Sequence, residues 1–143
     1  MAMTAPKLFL AIVVIIIVGG VLLALVGGRR GDAGVIKNLN TIRTAAELYY
    51  DMNKNYGTAF VGSCPDAGAG TIFKDDKSVK IALKGALSAG GGEGDCVVTD
   101  GPSQVWAVRV QLKSRSEYWC VDSTGATAKT GSAINGAGAC VFP

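Results

Sequence analysis

The chain contains no histidine. His-based triads, His general bases and His metal ligands are therefore excluded. Its four cysteines, Cys64, Cys96, Cys120 and Cys140, include no CxxC pair, so zinc-ribbon and thioredoxin-like sites have no support. Serines and threonines are plentiful, but no G-x-S-x-G or S-x-x-K pattern supplies an activating partner. The expectation is a protein that is not an enzyme and carries no cofactor. The net charge of +3 is spread without a basic run, which leaves no specific nucleic-acid signal. No proline lies between Lys7 and Cys64, no acid precedes Asp32, and no charge of either sign occurs from Leu8 to Gly28.

That uncharged run is 21 residues long, about 30 Å as a helix and one hydrocarbon core thick. A cleaved secretory signal has a shorter apolar region, about 7–15 residues, so the length favours a retained helix. The expected division is 1–28, an N-terminal tail with a membrane or filament-core helix, and 29–143, an amphipathic continuation with a globular head. Arg29 and Arg30, read by the positive-inside rule, lean toward a cytoplasmic C-terminal side. The cysteines argue the reverse. All four follow the apolar run in an even number, which suits two disulfides in an oxidising compartment. The expected topology is a single pass with the N-terminus inside and the cysteine-bearing part outside.

The stretch "VGGRRGDAGVIKNLNTIRTAAELYYD" decides whether the helix ends at the membrane surface. On a helical wheel Val35, Leu39, Ile42, Ala46, Tyr49 and Tyr50 fall within about 60° of one direction. Lys37, Asn40, Thr44, Glu47 and Asp51 lie opposite. Only "RRGDAG" separates this amphipathic pattern from the apolar run, too short for a flexible linker. A continuous helix from Leu8 to about Asn53, roughly 69 Å long, is expected, softened or kinked at residues 27–34. Gly19, Gly20, Gly27 and Gly28 suit close helix–helix packing, because small residues let backbones meet.

The remainder predicts a small α+β head with a three- to four-stranded antiparallel sheet. Gly57 to Asp76 reads as a loop. "DKSVKIALKGALSAGGG" reads as a short helix capped by Asp76 or Ser78, with Val79, Ile81, Ala82 and Leu83 partly buried. In "QVWAVRVQLK", Trp106, Val108, Val110 and Leu112 alternate with polar residues, the period of a half-buried strand. Setting Lys113 opposite Tyr118 brings Leu112 to Trp119 and Val110 to Val121, with every apolar residue on one face. "DSTG" turns the chain into "ATAKT". The apolar face is expected to rest on the helix stripe. In this register Cys120 points outward. Of the three possible pairings, proximity then favours Cys120–Cys140 and Cys64–Cys96. Asp75, Asp76 and the Asp122 loop read as solvated turns, since calcium needs about six gathered oxygen ligands; no metal site is expected. Trp106 and Trp119 read as core rather than as an exposed patch.

"NLNTIRTAAELYYDMNKNYG", behind an apolar helix, resembles the corresponding stretch of bacterial type IV pilins and pseudopilins. "VWAVRVQLKSRSEYWCVDSTGATAKT" is similar to the C-terminal sheet of pilin-like proteins. The resemblance implies a structural subunit of a helical homo-oligomeric filament. Apolar helices would bundle inside, heads would face out, and a pilus assembly machinery would be its partner. It also implies passage from the bacterial cytoplasmic membrane, held through Leu8–Gly28, to the cell surface. The family's basic leader ends in glycine and a glutamate is the fifth mature residue. Here no glycine precedes Gly19, and a cut at Ala2-Met3 puts Lys7 where the glutamate belongs. That departure supports the alternative: a monomeric, membrane-anchored extracytoplasmic binding domain of the same fold.

Overall fold

The structure, a computed structural model, describes residues 5–114, 116–131, 134 and 138–140; side chains of 5–12, 14, 18–29 and 128 lie outside the description. The protein is α+β. Helix α1 spans Ala5–Asn53, α2 spans Ile72–Asp75 and α3 spans Lys77–Ala89. Strands β1 (Phe60–Ser63), β2 (Gly94–Val98), β3 (Trp106–Gln111), β4 (Tyr118–Asp122) and β5 (Thr127–Thr130) form one antiparallel sheet in sequential order. A short 3₁₀ turn, Cys64–Asp66, follows β1.

Helix α1 continues through "RRGDAG" without a break. Gly31 and Gly34 neither stop nor soften it. They seat the end of α3: a Cβ on Gly31 would lie 2.6 Å from the Ala89 carbonyl oxygen, and one on Gly34 would lie 2.9 Å from the Ala89 Cβ. The glycines thus exchange helix propensity for close approach. α1 ends where Lys54 takes a left-handed conformation, φ 60°, and its N–H donates to the Tyr50 carbonyl at 2.7 Å. Among the described residues no helix is long and apolar enough to cross a membrane. The expected span, Leu8–Gly28, falls largely on side chains outside the description, as do Gly19, Gly20, Gly27 and Gly28.

Val35, Leu39, Ile42 and Ala46 are fully buried, Tyr49 half-buried. Each large aliphatic buried here contributes about 1.5–3 kcal/mol. Their nearest neighbour is α3, with β4 behind it, so the stripe is covered by a helix as well as by the sheet. Asp76 caps α3, its carboxylate accepting the Val79 N–H at 2.8 Å. Val79, Ala82, Leu83 and Ala86 are buried, but Ile81 is 61% exposed, against expectation. It lies about 200° around the helix from Val79, on the solvent side.

The sheet has five strands rather than three or four. β1 arises from a segment that reads as loop, and β2 from one to which the sequence reading assigns no element. β2, "GDCVV", is buried on both faces, so it shows no alternation. β1 is four residues long and pairs with a strand more than thirty residues away, Phe60 with Val98. Trp106, Val108, Val110 and Val121 are fully buried, Leu112 nearly so, and Trp119 half-buried against the same core. On the outer face Asp95 opposes Arg109 and the two form an ion pair at 2.5 Å, while the Arg109 guanidinium stacks on Tyr118 at 4.1 Å.

The β3–β4 register differs from expectation by two residues: Gln111 opposes Tyr118, Val110 opposes Trp119 and Val108 opposes Val121. A shift of two preserves both faces, so the apolar assignment stands while the partners change. The cause lies in the turn. The Leu112 N–H donates to the Glu117 carbonyl at 2.8 Å, so the turn is centred one residue earlier than expected. Beyond it, the Ser114 N–H donates to the Asp32 carboxylate at 3.1 Å and the Ser114 hydroxyl donates to its other oxygen. Asp32, on α1, thus holds this turn to the helix.

The helix assignment has a direct test in melts of the full chain in detergent. Ile42→Asp should destabilise the head by about 3 kcal/mol or more, since it buries an unpaired charge. Thr44→Asp, on the exposed side, should stay within about 0.5 kcal/mol of wild type. Equal losses would refute the wheel. A second test concerns Asp32. Its partial desolvation opposes ionisation, but hydrogen bonds from Ser114 and Lys113 outweigh it and hold the carboxyl below the ordinary 3.8. A depressed folded value means a contribution present above 3.8 and lost as pH falls through the folded value. Asp32→Asn should therefore melt earlier than wild type at neutral pH and converge with it below that range. A gap independent of pH would remove the carboxylate's role.

Candidate functional site

Among the described residues no three potential metal ligands cluster. The candidate site is a surface, built from α1, α3 and the disulfide-tied turns. Its first part is the free side of α1. Val13, Ile15, Ile16 and Ile17 are 38–70% exposed, an apolar run that no described side chain covers. Farther along, Leu48 and Met52 are 61% and 67% exposed, one helical turn apart. Glu47 and Asp51, also exposed, form a parallel acidic row beside them. Neither row belongs to the stripe of Val35, Leu39, Ile42 and Ala46.

The second part lies on the far flank of α3. There Cys64, Ala67, Phe73, Leu83 and Leu87 floor a cleft of about 250 Å³. Lys74, Lys80 and Lys84 stand around it. The elements that build it were not evident from the sequence. Spacing alone places Leu83 with Leu87, and Lys80 with Lys84, on adjacent rows of a helix. The closing wall depends on the Cys64–Cys96 disulfide, which holds the 3₁₀ turn against β2. A second, wider and more polar cleft of about 560 Å³ lies between Gly90-Gly91 and the 111–116 loop.

The third part is the outer face of the sheet. A disulfide joins Cys120 to Cys140, with Cα atoms 5.9 Å apart, and Cys120 is fully buried. Asp122 is buried beside it at 1% exposure. One carboxylate oxygen accepts the Thr124 N–H at 2.9 Å, the Thr124 hydroxyl at 2.7 Å and the Ala126 N–H at 3.2 Å. The other accepts the Cys140 N–H at 2.9 Å. The sequence reading makes Asp122 a solvated turn residue. It does shape the turn, but it is buried, and it fastens the chain's end to β4. Asp75 likewise accepts the Gly70 N–H at 3.0 Å and Asp76 caps α3, so these acids are not gathered for a cation.

Tyr49 lies beside α2 and α3; burial, with the charges of Asp75 and Asp76, pushes its hydroxyl above the ordinary value of 10.0. Tyr118 is raised for the same first cause, then by its bond to Glu93. Both hydroxyls stay neutral at physiological pH, so neither supplies a base.

No protein-family model, no curated protein and no solved structure matches the chain.

Asp122 generates the prediction. Asp122→Ala leaves buried N–H donors without an acceptor, each costing about 1–3 kcal/mol. Denaturant melts should show a loss of about 2–4 kcal/mol, well beyond that of Thr124→Ala. Equal small losses for both would show that the clasp rests on the disulfide alone.

Proposed function

We propose that the protein is a structural subunit of a type IV pilin-like filament, assembled through its apolar N-terminal helix with the head facing outward. The observation that carries this reading is the unbroken course of α1 from Ala5 to Asn53. One rod bears the uncharged run of the sequence and the stripe on which the head is built. An anchored domain on a flexible stalk has no need of such rigidity. The exposed Val13 to Ile17 run supports a bundle of copies or a bilayer around the apolar half. The two disulfides support an oxidising, extracytoplasmic setting for the head. In this reading the membrane holds the subunit before assembly and an assembly machinery extracts it.

One observation favours a second reading, a membrane-anchored monomer with a binding head. The uncharged run Leu8–Gly28 contains no acid that could neutralise a neighbour's amino terminus inside an apolar bundle. An unpaired charge there is costly. Electron microscopy of surface-sheared material, labelled for this chain, separates the two. Labelled filaments are the expected outcome. Chain found only in the membrane fraction, with no filament labelled, would hand the case to the anchored monomer.

A further inference from the structure

α1 and α3 carry two surfaces of the same design and opposite charge. On α1, Leu48 and Met52 form an exposed apolar row beside the acidic row Glu47 and Asp51. On α3, Leu83 and Leu87 form an apolar row beside the basic row Lys80 and Lys84, and they floor the 250 Å³ cleft. All four pairs have the i, i+4 spacing, so each row is one helical turn long. We propose that the cleft on α3 receives the Leu48–Met52 row of a second copy of this chain, with Lys80 and Lys84 meeting Glu47 and Asp51. This rests on the filament reading and names a head-to-head contact within it.

Geometry forbids the same contact inside one molecule. α3 turns Gly85 toward α1, where a Cβ would lie 3.0 Å from Asn38 Oδ1. At about 100° per residue, the Lys80/Lys84 row lies more than ~90° around α3 from that side. The acidic patch and the basic cleft are therefore different faces of one head. A contact between unlike faces that the partner does not return leaves one face of each kind open, and closure of the rotation decides between a ring and a filament. An unclosed rotation repeats the contact from copy to copy, as a filament requires.

Charge supports this occupant. Three lysines and no acid line the cleft. Nearby Asp75 is engaged with the Gly70 N–H, and Asp76 with the Val79 N–H. Asp66 lies in the adjoining turn on the exposed side. Apolar rows supply the contact's free energy, and the charged rows set its register and exclude like-charged alignments.

The test places a photo-cross-linking phenylalanine analogue at Met52 in the full chain, in cells. Cross-linked dimers should form, and mass spectrometry should map the link to residues 64–87 of the second copy. Lys80→Glu with Lys84→Glu should cut the dimer at least tenfold, and so should Glu47→Lys with Asp51→Lys. All four reversals together should restore it, because every contact regains its opposite charge. All four residues are exposed, so the restored variant also reports intact folding. Filaments without this cross-link, or with a link mapping elsewhere, would overturn the contact and leave the filament reading standing. The cross-link without filaments would uphold the contact and remove the filament reading. Failure of the fourfold variant to recover would refute the charge pairing.

Discussion

Everything in the head depends on one stripe of α1. Val35, Leu39, Ile42 and Ala46 have no exposed surface, and α3, β4 and the aromatic cluster around Trp106 are arranged around them. Tyr56 and Phe73 meet the Trp106 ring edge-on, with centroids 6.3 and 6.4 Å away. The stripe lies on a helix too long to be stabilised by its head alone. The head is thus an attachment to a rod, and the rod's direction is set by a continuous backbone rather than by a linker. Gly31 and Gly34 make this arrangement possible, since they admit the end of α3 against α1 without breaking it.

The outer face of the sheet follows a different rule. Little apolar side chain is available there, because the tail is glycine- and alanine-rich. Covalent and polar fastening takes over. Cys120–Cys140 ties the tail across a separation of 20 residues, a loop whose closure typically contributes about 2–4 kcal/mol. Asp122 adds hydrogen bonds to both its own turn and Cys140. A buried carboxylate with all donors supplied is stable where a half-satisfied one is not. Asp32 applies the same device at the opposite corner, binding the 111–116 loop to α1.

What the sequence made legible was whatever repeats. The 3.6-residue period revealed the α1 stripe residue by residue, and the two-residue period revealed the apolar face of β3 and β4. The face assignment put Cys120 outward, and proximity then favoured the two pairings that the structure contains. What stayed hidden lacks a period. β2 is buried on both faces, β1 is too short, and α2 is a single turn. The two-residue register difference follows from where the turn is centred, and the Asp32 contact with Ser114 in that turn is one that no local pattern encodes. Asp122 was read correctly as a turn residue, but its burial depends on a tail that arrives 18 residues later. The lysine-lined cleft was not foreseen; only the helix that carries Lys80 and Lys84 was. The cleft's other wall needs a disulfide to bring Cys64-Pro65 across.

The two halves of α1's surface do not compete. Around the wheel the buried stripe occupies an arc of roughly 100°, from Tyr49 to Tyr50 through Val35. Leu48 and Met52 lie beyond its edge, and Glu47 and Asp51 lie farther round. Engaging the outer rows therefore requires no change in the packing that holds the head. The converse also holds: a head that stays folded presents those rows at constant spacing, because an α-helix fixes i and i+4 at about 6 Å. A single helix with two separate faces provides this independence, and the Cys64–Cys96 disulfide holds one wall of the cleft on α3.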